Sequence, residues 1–438
     1  MGAPVGTVPD GRLVLDRLRE LPGGPQLIEL AAKRDDVELV GGAVRDLLLD
    51  PHATPRELDV VVAEGAAAFA QDLTRELRAL AHDSPAERFE TTLHERFRTA
   101  LVSWPDGQID VATRRSERYS APGALPEVRA GTREDDLRRR DFTVNTLSIA
   151  LGGPEPGLLD GAPGAIDDLR GGLLRVLHDR SFLDDPTRVL RLARYSARLG
   201  FEPEPGTARL AAQAVVDSAL DTVSSARIGA ELRLTLAEPD PVAALLALQS
   251  LGVLAALHEA LTLDPRVAGR ALSLLPDCEE ASPQVLLLAS LLLPGANYDA
   301  TDYQTRLRVL LDEFEFPAAE RERTVRSALL APRIAERLRA AERPSQIYEI
   351  SHQEPLEAVA LAAALAETRG QPRAADAASR WLSELRHVRL EIGGEDLLSA
   401  GIAPGPEIGR RLHHALEQKL DGEAEGREAE LAAALANG

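Results

Sequence analysis

Strand-forming signals are confined to the first third of this 438-residue chain, and that asymmetry most constrains its fold. Short β-branched runs recur up to about residue 160: VELV (37–40), ELDVVVAEG (57–65), FRTALVSW (97–104) and QIDVATRR (108–115). Helical stretches such as AAAFAQDLTRELRALA (66–81) fall between them. Beyond residue 160, Ala, Leu, Arg and Glu recur at helical spacing, broken by Pro and Gly at EPDP (238–241), LLPGAN (292–297) and RGQPR (369–373). A period of two and a period of 3.6 bury different residues, so the same run cannot serve both elements. The pattern predicts an α+β chain, with a mixed-sheet domain followed by an all-helical remainder.

Within the first part, VELVGGAVRDLLLD (37–50) carries a buried-strand pattern into an amphipathic helix through Gly41 and Gly42. A glycine pair at such a corner serves a tight turn, and equally lets backbone amides at a helix start approach a phosphate. In RELDVVV, alternation puts Leu58, Val60 and Val62 on the core face and Glu57 and Asp59 together on the other, roughly 7 Å apart at Cα. Like charges so placed repel, unless solvent or a divalent cation relieves them. Asp110, between Ile109 and Val111, is a third acid with the same orientation, and equally a solvent-facing acid near a turn.

Two arginine-rich stretches follow. EDDLRRRDFTVNTL (134–147) sets four acids and three arginines ahead of an apolar, helix-like run. Arg139 and Arg140 are a cation pair able to hold a triphosphate, while Asp or Asn can hydrogen-bond a ribose hydroxyl. A solvated charged face fits the block equally well. DDPTRVLRLARYSARLGF (184–201) predicts a helix capped by Asp184 or Asp185. Arg188, Arg191, Arg194 and Arg198 fall within roughly 120° of one face. A one-signed face in a chain of net charge −20 points to an anionic partner or to acidic neighbours. Asp185 and Arg188, one turn apart, offer a fixed acceptor and donor for a base edge.

Composition narrows the classes. One cysteine excludes an internal disulfide and a cysteine zinc site. No apolar run approaches the roughly 20 residues of a membrane span, and the first residues lack a secretory pattern, so a cytoplasmic location is expected.

In order and spacing, LVGGAVRDLLL, RELDVVVAEG, IDVATRRSERY, DLRRRDFTVNTLSIAL, LLDGAPGAIDDLRGGLLRVLH and FLDDPTRVLRLARYSARLGF resemble the class II tRNA nucleotidyltransferase and bacterial poly(A) polymerase family. The stretches cover residues 37–201 almost without gaps. The resemblance implies a catalytic head (1–160) and helical neck (161–255), body (256–340) and tail (341–438). It implies two-metal, Mg²⁺-dependent transfer of nucleotidyl groups from CTP and ATP to a tRNA 3′ end, releasing pyrophosphate. Glu57 and Asp59 take the metal positions, with Asp110 beside them as a further catalytic acid. Gly41, Gly42 and Arg45 take triphosphate positions, and Arg114 lies in the next nucleotide-binding stretch. Arg140, Asp141 and Asn145 match the ribose and phosphate motif. Asp185 and Arg188, followed by Arg191 and Arg194, match the base-reading helix that selects C or A without a template. Pocket reshaping between the two bases is expected near residues 82–98.

The chain departs from the family at Glu57 and Asp184, where Asp and Glu are usual, and at Thr146, where Ala is usual. None removes a required functional group, so an active enzyme is expected; an inactive RNA- or nucleotide-binding member is the alternative. The stretch 392–431 looks like the tail of bacterial tRNA nucleotidyltransferases, which favours CCA addition, or CC-only or A-only addition, over poly(A) synthesis. Its GIAPGPEIG turn opens a helix near Glu407, as a plain interhelical turn or as a phosphate contact.

Overall fold

A computed structural model describes residues 10–55, 57–80, 89–94, 98–293 and 300–436. Most of the stretch expected to reshape a pocket, 82–88 and 95–97, lies outside the described residues. The chain divides into two compact units, Met1–Ser224 with Leu251–Val253, and Ser225–Ser250 with Leu254–Gly438.

The first unit is built on one seven-stranded sheet. Its strands are β1 (Glu38–Val40), β2 (Leu58–Val62), β3 (Glu90–His94), β4 (Thr99–Trp104), β5 (Gly107–Thr113), β8 (Ser148–Ala150) and β9 (Leu159–Asp160). They lie in the order β3-β4-β5-β2-β1-β8-β9. A separate hairpin pairs β6 (Arg115–Arg118) with β7 (Glu127–Ala130). Only β2 and β5 run parallel within the large sheet. Parallel neighbours need a crossover. The helix Ala66–Leu80 supplies its first part and buries Ala66, Phe69, Ala70, Leu73 and Leu77 against β4 and β5.

As alternation predicts, Leu58, Val60 and Val62 are buried; on the acid-bearing face Val61 is buried, Asp59 half-buried and Glu57 exposed. The run after the arginine block differs from its helix-like expectation. A short helix, Arg133–Arg138, is closed by a Thr132–Asp135 capping box, and a 3₁₀ turn, Thr143–Thr146, then leads directly into β8. Phe142, Val144 and Leu147 are fully buried, and tertiary packing rather than helical period dictates their spacing. Past residue 160 the described strands are two-residue pieces, Leu173–Leu174 and Glu202–Pro203.

The second unit is helical throughout its described residues. The helix Leu356–Thr368 is its spine, buried from Glu357 to Ala366 beneath the helices Ala318–Arg339, Pro372–Ser383, Pro265–Leu274 and Pro283–Leu291. Its alanines let neighbouring helices approach closely, because interaxial distance follows the side chains at the contact. A smaller core of Ile392, Leu397, Ala415 and Ala434 joins the last three helices. The helix expected near Glu407 runs Pro406–Leu420. Glu407 in its first turn pairs with Arg410 and Arg411, and no side chain caps the first amides of the helix. No described helix is long and apolar enough to cross a membrane.

Candidate active site

The site starts at the glycine corner. Gly41 adopts φ +74° and ψ −136°, a conformation that glycine alone takes without strain, and donates its N–H to the Leu147 carbonyl at 2.8 Å. That turn seats the backbone against charged groups: a Cβ on Gly41 would lie 3.3 Å from Arg140 Nη1 and 3.6 Å from Asp59 Oδ2. The helix Gly42–Leu49 begins at the same point with no side-chain cap, so its first amides open toward the site.

Asp59 comes from the middle of the sheet. The parallel register places it directly beside Asp110 of β5, and Glu57 lies two residues before it on the same alternation face. Burial, with Asp110 and Glu57 nearby, pushes the Asp59 carboxyl up to about 6 despite Arg140 and Arg139. Burial and Glu57 raise Asp110 as well. Among the described residues no closed cage of three or more metal-binding side chains forms. The acids instead make an open cluster of hard oxygen donors that repel one another. That chemistry suits a hard divalent cation completing its shell with water and substrate phosphate.

Asp59 forms part of the wall of a cleft of about 340 Å³. Gly41, Gly42, Arg140, Asp141, Asn145, Asp185, Arg188 and Arg191 line it too, so the structure gathers most of the expected site in one place. Glu57 and Asp110 are not part of the wall, and reach the site through Asp59.

A buried polar chain runs behind this wall. Asp141 is 4% exposed; its Oδ1 accepts from Phe142 N and Asn145 Nδ2, both at 2.8 Å, and its Oδ2 lies 2.7 Å from Arg191 Nη2. Burial alone would raise the Asp141 carboxyl, but Arg191 and the Asn145 hydrogen bond hold it below the usual range. Asn145 Oδ1 in turn accepts from Arg45 Nη1. Arg45 is 1% exposed, bonds Asp46 Oδ1 through Nε at 2.8 Å, and lies 5.3 Å from the Tyr195 ring centroid. Arg45, expected at a triphosphate position, does not line the cleft wall; it braces the glycine corner against Asn145 and Tyr195. The charge pair after the glycines is an internal strut, with Asp46 holding the arginine.

The arginine face also differs from a plain surface stripe. The helix Thr187–Leu199 starts after a break at Asp185, whose Oδ1 accepts from Thr187 N at 3.2 Å and Thr187 Oγ1 at 2.7 Å. Arg188 is 3% exposed, donating to Ser181 Oγ at 2.7 Å and to the Arg139 carbonyl at 2.6 Å. Arg194 is buried outside the cleft wall, 5.7 Å from the Tyr195 ring, and Arg198 alone of the four is exposed. Arg114 also stays outside, bonded to Glu38 Oε2 at 3.1 Å.

Sequence reasoning missed Arg115, Glu117, Tyr119 and Tyr195, all in the cleft wall. The first three sit at alternate positions of RSERY, so strand period would have put them on one face. Tyr119 donates its hydroxyl to Glu117 Oε2 at 3.0 Å, and Glu117 pairs with Arg115 at 3.3 Å. Tyr195 lies on the arginine helix and had no signal of its own.

Residues 37–175 match the model of the poly A polymerase head domain. The CC-adding tRNA nucleotidyltransferase of Deinococcus radiodurans is 33% identical over 93% of this chain and 91% of its own length. The A-adding tRNA nucleotidyltransferase of Geobacter sulfurreducens is 32% identical over 96% of this chain, which spans 48% of that longer relative. Among solved structures, the Thermotoga maritima CCA-adding enzyme complexed with tRNA superposes with a TM-score of 0.76 at 27% identity, covering 98% of both chains. The motif order, the head architecture and these matches agree: the chain belongs to the class II tRNA nucleotidyltransferase and poly(A) polymerase family.

Proposed function

We propose that this protein adds nucleotides from CTP and ATP to the 3′ end of tRNA, completing CCA or part of it and releasing pyrophosphate. One observation carries the reading: a single cleft joins Asp59, paired in register with Asp110, to the glycine corner, to Arg140, and to Asp185 and Arg188. Acids, phosphate-binding donors and a fixed donor–acceptor pair are the three parts that template-free nucleotidyl transfer needs.

In this reading Glu57 and Asp59 hold Mg²⁺. When bound, the cation neutralises charge on the triphosphate and acidifies the attacking hydroxyl. The amides of Gly41 and Gly42 and the guanidinium of Arg140 bind phosphate oxygens. Asp110 accepts the proton of the RNA 3′-hydroxyl as its oxygen bonds the α-phosphorus and the α–β anhydride bond breaks. Asp141 and Asn145, tied to each other and to Arg191 and Arg45, keep the ribose end rigid. Asp185 and Arg188 hydrogen-bond the base edge. Arg188 is already held by Ser181 and the Arg139 carbonyl, so its remaining donors point in a fixed direction.

The test is incorporation on tRNAs lacking one, two or three terminal nucleotides, with CTP, ATP or both, in Mg²⁺. Ordered addition of C, C and A is the expected result. CC-only addition is the second reading, favoured by the Deinococcus relative that this chain matches over nearly its whole length. Long A-tails on any RNA would make the protein a poly(A) polymerase instead. Full activity in Asp59→Ala would overturn the metal assignment.

A further inference from the structure

Arg115, Arg139 and Arg140 converge on one wall of the cleft, with side chains 17%, 16% and 13% exposed. Three guanidiniums at such burial repel each other and lose hydration, and something must hold them there before a nucleotide arrives. Asp136 is placed to do so. It is 3% exposed, does not line the cleft, and belongs to none of the groups assigned above to metal, phosphate, ribose or base. Its Oδ1 accepts from Arg139 Nε at 3.0 Å and Arg139 Nη2 at 2.9 Å, and from the Arg115 backbone N–H at 3.4 Å. Its Oδ2 accepts from Arg140 Nη2 at 3.1 Å. Arg140 then spends Nη1 on the Asn145 carbonyl at 3.1 Å, which brings that nitrogen to the Gly41 turn. The Nε of Arg140 is buried with no hydrogen-bond partner among the described residues. An orphaned donor is unfavourable, so this guanidinium is not settled in its own lowest-energy arrangement but held by Asp136 and Asn145.

We infer that Asp136 is a positioning residue for phosphate binding: one buried carboxylate, one oxygen to each arginine, fixes Arg139 and Arg140 at the spacing and direction in which the cleft receives the nucleotide's phosphates. The inference rests on the proposed phosphate role of Arg140. The helix Arg133–Arg138 supports it mechanically, because its Thr132–Asp135 capping box anchors the turn from which Asp136 projects. Asp136 is thus distinct from its neighbours in the acidic run: Glu134 is exposed, Asp135 serves the cap, and Asp136 faces inward.

The experiment compares CTP and cytidine binding to the full chain by calorimetry, in wild type, Asp136→Asn, Arg140→Gln and the double variant. The ratio of the two affinities isolates the phosphate contribution, which a general loss of packing would not change selectively. Asp136→Asn keeps the shape and loses the charge; the CTP-to-cytidine ratio is expected to fall about tenfold or more, with cytidine affinity unchanged. In the Arg140→Gln background the same substitution is expected to have a much smaller further effect, because the two act through one contact. Asp136→Glu, which retains the carboxylate, is expected to restore part of the ratio and covers the case of an Asn variant that does not fold. An unchanged ratio in a folded Asp136→Asn, or fully additive effects with Arg140→Gln, would overturn the inference and leave the nucleotide site standing. Failure of wild type to bind CTP more tightly than cytidine would overturn the site reading itself, and this inference with it.

Discussion

Neutralising Asp59 should stabilise the metal-free protein while removing its activity. The Asp59 carboxyl rises from 3.8 to about 6 because it is buried beside Asp110 and near Glu57. Its folded pKa therefore lies above the unfolded value, and the folded state binds more protons than the unfolded state between about pH 4 and 6. The ionised form is the disfavoured one. Its penalty is absent below pH 4, grows as pH rises through that window, and is constant above it. A rise of that size corresponds to roughly 3 kcal/mol; since Asp59 keeps part of its surface open to the cleft, we take about 1–3 kcal/mol. Asp59→Asn removes the charge at nearly constant shape. In EDTA at pH 8 it should unfold at a temperature about 2–8 °C above wild type, and near pH 4 the difference should vanish. Mg²⁺ should raise the wild type but not the variant, since only wild type keeps both acids for the cation. Calorimetric melts with and without Mg²⁺ at both pH values, beside an incorporation assay, make the comparison. A variant less stable than wild type at pH 8 in EDTA would refute the idea that these acids repel one another in the empty site.

Two further substitutions probe the frame around the site and the helical unit. Gly41→Ala should destabilise by about 1–3 kcal/mol through backbone strain and, by pressing on Arg140, lower kcat/KM far more than Gly200→Ala does. Gly200 also has positive φ, but nothing lies within 4 Å of its Cβ position, so urea melts should show strain alone and incorporation should be near normal. Glu357 is fully buried and accepts from Ser282 N at 2.7 Å, Arg323 Nε at 2.9 Å and Arg323 Nη2 at 2.7 Å. Glu357→Ala should cost about 3 kcal/mol, seen as a lower urea midpoint, because it strands a partly buried arginine and an unpaired amide.

Much of this site was legible because its parts are local. The Gly41–Gly42 corner, the Glu57–Asp59 alternation and the Asp185–Arg188 turn each need only a few consecutive residues, and strand or helix period says which face they share. Period also separated the sheet from the helices at about residue 160, where the longer strands stop. It misjudged the run after Asp141, since a 3₁₀ turn feeding a buried strand can carry the apolar spacing of a helix.

What the tertiary structure alone decided is which charges share the cleft and which pair behind its wall. Asp59 meets Asp110 only because β2 and β5 pair in parallel, 51 positions apart in sequence but opposite in register. Arg45 becomes a strut because Asn145, 100 residues on, accepts its hydrogen bond. Arg188 and Arg194 sit on one helical face, yet the first enters the cleft and the second does not. Asp136 is buried against Arg139 and Arg140, while Glu134, two residues before it, is exposed. Sequence period determines the direction of a side chain relative to its own element. Its partners depend on how distant elements pair, and burial makes those pairings decisive, because a charge removed from water must find its counterpart or be lost.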